Sequence, residues 1–213
     1  MAKPAAYRSL PAGWFLSSHT QPQAWADHVL PDNERVGLLT AAYLAGRGHR
    51  LVAFYNEQPE HPGFATRGAA FCAAAADRGL ECQSFVAKKS RMGVVVGVGP
   101  SAACVELVER LLGATPRPQA VFVPTDEQAL RLYPSLVRHS VIPGRDLQVI
   151  SCDSQEVCLR QLDPRPPSID LNFDLIGQRA VKQLMWRITH PEQAPGTRIL
   201  VPPKPIEMGP GSP

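Results

Sequence analysis

The sequence contains no run of apolar residues long enough to span a membrane, which takes about 20 consecutive apolar residues. Its first residues, MAKPAAYRSLPAGWFLSS, also lack the long apolar core of a secretory signal peptide. The composition, 44% hydrophobic and 19% charged, is that of an ordinary globular protein. We therefore expect a cytoplasmic protein that makes no membrane contact.

Cysteine is scarce, and its spacing predicts no special chemistry. The five cysteines are odd in number and never form a C-x-x-C pair, which argues against a zinc site or a disulfide framework. Most of them lie in apolar stretches, so we expect buried, reduced thiols and no metal site. The residues concerned are Cys72, Cys82, Cys104, Cys152 and Cys158.

Concentrated positive charge is absent too. The net charge is only +3, and no basic run with interleaved aromatic residues occurs, so nothing in the chain predicts nucleic-acid binding. The G-x-S-x-G, P-loop and H-E-x-x-H motifs of common enzyme classes are also missing. We expect no catalytic residue and no cofactor.

What the sequence does contain is a repeated alternation of apolar strands and helices. The clearest unit is the apolar run 51–55, followed by a long polar loop and an alanine-rich helix over 64–78. In open parallel sheets, ligands bind where such loops leave the carboxyl ends of the strands. Any ligand site is therefore expected near Asn56 and Arg67.

The same reading predicts elements along most of the chain and hence a parallel α/β sheet. Strands are predicted at 12–17, 25–30, 51–55, 82–86, 94–98, 120–123, 147–151, 168–171 and 198–201. Helices are predicted from Asp32 or Asn33 to Gly46, with Pro31 introducing the first, and over 64–78, 101–112, 126–139 and 156–161, and from Asn172 or Asp174 to Ile188. Val105 is expected on the inner face of the helix 101–112.

Six phrases in a fixed order resemble a known family. They are PDNERVG, GRGHRLVAFY with RGAAFCAAAADRGL, PQAVFVPTDEQAL, IPGRDLQVISCDS, LDPRPPSIDLNFDLIGQRAVKQLMWRI and RILVPP. Together they resemble the effector-binding domain of the lactose-repressor/galactose-repressor family of bacterial transcription regulators. The resemblance implies a periplasmic-binding-protein-like fold of type I. It also implies a non-enzymatic domain that senses a sugar or related metabolite and works as a homodimer.

The resemblance further implies a division into lobes. Residues 1–49 with 169–195 would form a partial N-terminal lobe, and 50–168 with 196–203 a complete effector-binding lobe, followed by a tail at 204–213. No stretch resembles the family's helix-turn-helix headpiece, so DNA contact is expected only through a headpiece that this chain lacks. The strands missing from the first lobe would expose apolar edges, which we expect a second copy to cover; otherwise the protein would aggregate.

Two charged residues match family positions that contact effectors between the lobes. Arg67 stands three residues before the Ala70-Phe71 pair at a helix start, and its guanidinium fork suits neighbouring hydroxyls or a carboxylate. Asp153 follows the strand 147–151, where a carboxylate can accept from adjacent sugar hydroxyls. A surface arginine and a helix cap are the plainer interpretations of these two residues.

Four further residues complete the expected effector site. Asn56 ends the strand 51–55, and Thr125 follows the strand at 120–123 and is expected to face the cleft. Asp126 is a candidate too, although capping its own helix is the better explanation. Phe64 has the ring to stack on a sugar face.

One motif favours a different function. The spacing Gly97-x-Gly99-x-x-Ala102, between an apolar run and a helix, is that of a dinucleotide-binding turn, and Asp126 stands about where a ribose-binding acid would. This alternative is a fragment of an NAD-dependent dehydrogenase. It lacks a visible constellation of residues for hydride transfer.

Overall fold

The structure, a computed structural model, describes residues 11–15, 24–88 and 101–204. The chain forms two compact units: a small unit of Met1–Asp32 with Leu171–Pro203, and a large unit of Asn33–Asp170 with Lys204–Pro213. In chain order the elements are β1 (Gly13–Phe15), β2 (Asp27–Pro31), α1 (Asn33–Gly46), β3 (Leu51–Asn56), α2 (Pro62–Ala76), β4 (Glu81–Val86), α3 (Ala102–Gly113), β5 (Ala120–Phe122), α4 (Asp126–Arg138), β6 (Gln148–Cys152), α5 (Glu156–Leu159), β7 (Ser168–Ile169), α6 (Phe173–Thr189) and β8 (Arg198–Val201).

The large unit is built on a five-stranded parallel sheet in the order β4-β3-β5-β6-β7. Successive residues of a strand point to opposite faces, and β3 is buried along its whole length because both faces are covered. On one face, the ring of Phe54 lies 5.7 Å from that of Phe122, which is 5.3 Å from Phe71 of α2. On the other face, Tyr55 belongs to a core cluster that includes Cys104 of α3.

Two glycines bring α2 close to its neighbours. A Cβ atom on Gly37 of α1 would lie 2.5 Å from the backbone nitrogen of Phe71. A Cβ atom on Gly68 would collide with the ring of Phe54. Since neither glycine carries a side chain, α2 packs directly against both α1 and β3. This packing fixes the position of Arg67, which α2 carries.

The small unit has a three-stranded parallel sheet, β1-β2-β8, with α6 packed against it. Its apolar core contains Val29, Ile176 and Val201. The Asp27 carboxylate accepts two hydrogen bonds from Arg187, at 2.8 and 2.9 Å, and further ones from Gln183 and the backbone of 196–197. These bonds keep the pKa of Asp27 below its ordinary value, although burial alone would raise it.

The boundaries between the units differ from the prediction. The strand β8 was expected to return to the effector-binding lobe, but it pairs with β2 and belongs to the small unit. Residues 33–49, assigned to the first lobe, belong to the large unit because α1 packs on α2. These boundaries were inferred from the family resemblance, and the sheet that a strand joins depends on packing between distant parts of the chain.

Most predicted elements are present, with three local corrections. Pro31 closes β2 instead of introducing a helix, and α2 begins at Pro62, so the loop after β3 is shorter than expected. Val105, expected on the inner face of α3, is 41% exposed. The strand predicted at 94–98 lies outside the described residues. Within the described residues, no helix is both long and apolar enough to cross a membrane.

The thiol prediction is wrong for two of the five cysteines. Cys72 of α2 and Cys82 of β4 form a disulfide, whereas Cys104, Cys152 and Cys158 are free and buried, as expected. The 10-residue separation of the paired cysteines resembles no common framework, so their pairing followed from the packing of α2 on β4.

Candidate functional site

The strand order of the large unit changes direction at β3. The chain goes from β3 outward to β4 and then returns to place β5 on the opposite side of β3. In open parallel sheets, such a change of direction opens a crevice at the carboxyl ends of the two strands, where ligands bind. Polar residues follow β3, β5 and β6 at this end of the sheet: Asn56, Glu57, Thr125, Asp126 and Asp153.

Arg67 extends from α2 across the ends of these strands. Its Nη1 donates to the carbonyl oxygen of Pro124, which follows β5, and lies 3.3 Å from Oδ1 of Asp153, which follows β6. Its Nε donates to Oδ1 of Asn33 at 2.8 Å. Among the described residues, no hydrogen-bond partner for Nη2 is found. The two residues that the family resemblance assigns to the effector site are therefore neighbours.

Asp153 is held in an unusual backbone conformation. Its φ is +106°, a value that L-residues rarely adopt, and its backbone N–H donates to the carbonyl of Ile169 at 2.8 Å. Burial raises the pKa of its carboxyl from 3.8 to about 7, while the nearby charge of Arg67 lowers it and that of Asp126 raises it. Asp153 therefore changes its charge near neutral pH.

Thr125 and Asp126 both have partners within the protein, and the expected helix cap at Asp126 is wrong. Thr125, not Asp126, is the N-cap of α4, and its Oγ1 accepts from the backbone N–H of Gln128. Asp126 is fully buried and accepts hydrogen bonds from Ser151, Ser168 and the backbone of 155. Its carboxylate therefore links α4 to β6 and β7.

Asn56 is similarly engaged within the protein. Its Oδ1 accepts from the backbone N–H of Gln58 at 2.9 Å and from Nε2 of Gln128 at 3.4 Å, and its Nδ2 donates to the carbonyl of Gln58. It is only 1% exposed. These bonds shape the loop after β3 and connect it to α4 across the crevice.

The large unit contains a second buried ion pair, which the sequence analysis missed. Glu57, directly after β3, accepts from Nε of Arg131 at 3.0 and 3.3 Å, from the hydroxyl of Ser101 at 2.8 Å and from that of Tyr55 at 3.2 Å. Glu57 and Arg131 are 5% and 6% exposed. The only sequence signal was a charged residue at the end of a fully apolar strand.

Phe64 lies at the start of α2 and is buried, so it is not an open platform for a sugar ring. Its ring stacks on that of His61, with centroids 3.5 Å apart, and the guanidinium of Arg67 lies 5.4 Å from its centre. His61 is the N-cap of α2: its Nδ1 accepts a hydrogen bond from the backbone N–H of Phe64 at 3.2 Å.

The dinucleotide-binding alternative finds no support either at the turn before α3 or at its proposed ribose-binding acid. Gly97 and Gly99 lie outside the described residues, but the N-cap of α3 is Ser101, and its hydroxyl contacts the Glu57 carboxylate. That negative group lies where a pyrophosphate would need positive surroundings. Asp126, the proposed ribose-binding acid, is fully buried and already bound by three protein groups.

The large unit thus places a guanidinium, whose Nη2 has no partner among residues 24–88 and 101–204, beside a carboxyl at the convergence of three loops. Such a pair donates and accepts hydrogen bonds within a short distance, as recognition of a polyhydroxylated molecule requires. Within the described residues, no group of three or more His, Cys, Asp or Glu side chains is arranged to hold a metal ion.

A sequence profile described as the periplasmic binding protein-like domain matches residues 41–208. No curated protein matches the chain. Among solved structures, a LacI family transcriptional regulator from Enterococcus faecium with bound ribose is similar at a TM-score of 0.74 and 20% identity, covering 93% of this chain and 69% of that one. A LacI transcriptional regulator from a Rhodococcus species is similar at a TM-score of 0.76 and 20% identity, and the match covers 95% of this chain and 70% of that one.

A third similar structure is a periplasmic binding protein/LacI transcriptional regulator from Alkaliphilus metalliredigens QYMF complexed with D-xylulofuranose. Its TM-score is 0.72 at 16% identity, and the match covers 92% of this chain and 69% of that one. At such identities the similarity shows a shared fold. The predicted parallel α/β architecture of the periplasmic-binding-protein-like type is confirmed.

Proposed function

Since the chain belongs to the periplasmic binding protein-like domain family, we propose that it is the effector-binding domain of a LacI-type transcription regulator. Its effector would be a small polyhydroxylated molecule such as a sugar. The proposal assigns no catalytic step to the chain and requires no cofactor. It places the domain in the cytoplasm, where a regulator of transcription would sense its effector.

One observation carries the proposal: the contact between Arg67 and Asp153 where three loops converge. Arg67 reaches across from α2 and leaves Nη2 available among the described residues, while Asp153 offers a carboxyl near its titration midpoint at neutral pH. A diol can donate to the carboxylate and accept from the guanidinium at once. Ribose and xylulofuranose, bound by two proteins of the same fold, are ligands of this chemistry.

The effector would act by favouring one arrangement of the protein over another. A ligand shifts such an equilibrium only as far as its affinities for the two states differ. In a complete regulator, the shift would reach DNA through a separate headpiece, so this chain itself needs no contact with DNA.

We also propose that the domain is a homodimer. One face of α6 carries four apolar side chains at helical spacing, Val181, Leu184, Met185 and Ile188, which are 63%, 39%, 56% and 50% exposed. The same stripe on a second copy is a complementary apolar surface, and a twofold axis brings identical patches together. Pairing of two α6 helices would remove this stripe from water.

A thermal-shift screen of the purified protein tests the effector proposal. The panel contains pentoses, hexoses, sugar acids, nucleosides and NAD(H). A ligand that binds only the folded state raises the melting temperature, and the rise increases with the ratio of its concentration to its Kd. A sugar hit that disappears in Arg67→Ala and Asp153→Ala, but persists in the exposed-arginine control Arg160→Ala, supports the proposal. A shift with NAD(H) that is unaffected by Arg67→Ala would support the dehydrogenase alternative instead.

A further inference from the structure

The disulfide between Cys72 and Cys82 joins α2 to β4, the next element in the chain. Cys72 lies near the end of α2, Cys82 is the second residue of β4, and their Cα atoms are 5.4 Å apart, within the range that a disulfide spans. Within the described part of the chain, β4 is an edge strand whose only sheet partner is β3. The bond therefore ties an edge strand to the helix that carries Arg67.

The two cysteines of this pair are more exposed than the three free ones. Cys72 and Cys82 are half-buried, whereas the three free cysteines are buried. Thiol–disulfide exchange requires that an attacking thiolate reach one of the sulfurs, so accessibility separates a reactive pair from an inert one.

An opening on the surface leads to Cys72. A pocket of about 240 Å³ is lined by Cys72 and Gly68 of α2, by Ser84 and Val86 of β4, and by Asn56 of β3. The Ser84 hydroxyl lies 3.6 Å from Sγ of Cys72, close enough to hydrogen-bond a thiol or thiolate there. Cys82 does not line this pocket, so a small molecule that enters it meets Cys72.

We propose that Cys72 and Cys82 form a reversible thiol–disulfide site that reacts with small thiols of the glutathione class. The small thiolate attacks Sγ of Cys72 and forms a mixed disulfide there, and the displaced Cys82 thiolate takes a proton from water. A second small thiol then attacks the small-molecule sulfur of the mixed disulfide. The small disulfide leaves, and Cys72 becomes a thiol after protonation. The protein gains two electrons in total, which the two small thiols supply.

Oxidation by the small disulfide runs the same steps in reverse and restores the tie between α2 and β4. The reduced state frees the edge strand from the helix. Amide hydrogens of β4 and of the last turn of α2 are then expected to exchange faster, because local opening no longer has to break a covalent bond.

The test is a redox titration of the whole protein. Samples are equilibrated at a series of ratios of reduced to oxidised glutathione, quenched in acid and alkylated, and each cysteine-containing peptide is then examined by mass spectrometry. We expect Cys72 and Cys82 to change together from disulfide to alkylated thiol across the series, while Cys104, Cys152 and Cys158 stay reduced thiols throughout. Hydrogen exchange at the two ends of the series is expected to differ in β4 and not in β6.

Two results would overturn the proposal. One is that Cys72 and Cys82 are alkylated at every ratio, which would mean that no bond forms. The other is that they resist reduction until the protein is unfolded, which would make the bond a permanent cross-link. The variants Cys82→Ser and Cys72→Ser test the order of attack: the first is expected to accumulate glutathione on Cys72, the second far less on Cys82. Equal modification of the two variants contradicts the assignment of Cys72 as the attacked sulfur.

Discussion

Nη1 of Arg67 lies 3.3 Å from Oδ1 of Asp153, although 86 residues separate the two in sequence and both side chains are almost fully buried. Arg67 comes from α2, and Asp153 follows β6, so the contact depends on the order of strands in the sheet. A charged pair of this kind is weak evidence for stability, because removal of two charges from water offsets most of their attraction. Its position at the convergence of three loops makes ligand binding the better explanation.

Loss of the guanidinium should destabilise the large unit. Arg67→Ala removes bonds to Asn33, Pro124 and Asp153 and leaves a buried carboxyl alone, and loss of one partner of a buried pair costs about 3 kcal/mol. Arg67→Lys keeps the positive charge but lacks the several donors of the guanidinium, so we expect an intermediate loss of stability. Chemical denaturation measures both, with Arg160→Ala as the matched control, since the exposed bond of Arg160 to Glu156 contributes little. A loss in the control as large as that of Arg67→Ala would contradict the prediction.

The carboxyl of Asp153 should make stability depend on pH in a defined direction. Its pKa rises from 3.8 to about 7 on folding because the group is buried. Since the folded protein holds this proton more tightly than the unfolded chain, the stabilising contribution is fully present below about pH 4 and is lost as the pH rises through about 7. Asp153→Asn, which tolerates a positive φ better than most residues, removes this contribution.

The melting temperatures of the wild type and Asp153→Asn should therefore be compared between about pH 4 and pH 8. We expect the variant to gain stability relative to the wild type steadily as the pH rises from about 4 to about 7, and the difference to level off above about pH 7. Titrating groups that do not interact with Asp153 cancel in the difference. Two parallel curves would show that Asp153 does not titrate in this range.

The close packing of α1 on α2 predicts opposite effects for two glycines of one helix. Gly37→Ala places a methyl group 2.5 Å from the backbone of Phe71 and should cost about 2 kcal/mol, since backbone atoms cannot move aside easily. Gly46→Ala meets nothing within 4 Å and should be neutral or slightly stabilising, because alanine favours helix. Urea denaturation of the two variants tests the prediction, and equal effects would contradict it.

The exposed apolar stripe on α6 predicts a dimer, and a single charged substitution within the stripe should dissociate it. Met185→Glu puts a carboxylate into the proposed contact between two copies, and we expect it to shift a dimer to monomer in light scattering. Arg179→Glu changes charge on a different face of the same helix and should leave the dimer intact. A stable wild-type monomer, or equal dissociation by both variants, would remove α6 from the interface.

The sequence predicted most elements because apolar periodicity is a local property. The run 51–55 had to be a buried strand, and 101–112 an amphipathic helix, whatever their neighbours were. The pairing of β8 with β2 could not be predicted in this way, because edge choice depends on packing far along the chain. The exposure of Val105 has a similar cause. The periodicity shows which side of the helix is apolar, but it does not show how much of that side the rest of the protein covers.

The candidate site was predicted in part. Arg67 and Asp153 came from the family resemblance, and the structure brings them into contact; their binding of an effector stays a prediction. The Glu57–Arg131 pair was missed because its two halves stand 74 residues apart and neither has a local signature. The cap at His61 was missed because histidine is not among the usual N-cap residues. Each miss involves a polar contact, whose partner depends on the three-dimensional fold.

The most direct test of the account is a calorimetric titration of the best sugar hit into the wild type, Arg67→Ala, Asp153→Ala and the control Arg160→Ala. The account predicts saturable binding to the wild type and the control, and affinity at least about tenfold weaker in each site variant, a loss of about 1.4 kcal/mol or more. Equal affinity in all four proteins would contradict the assignment of the Arg67–Asp153 pair as the effector site.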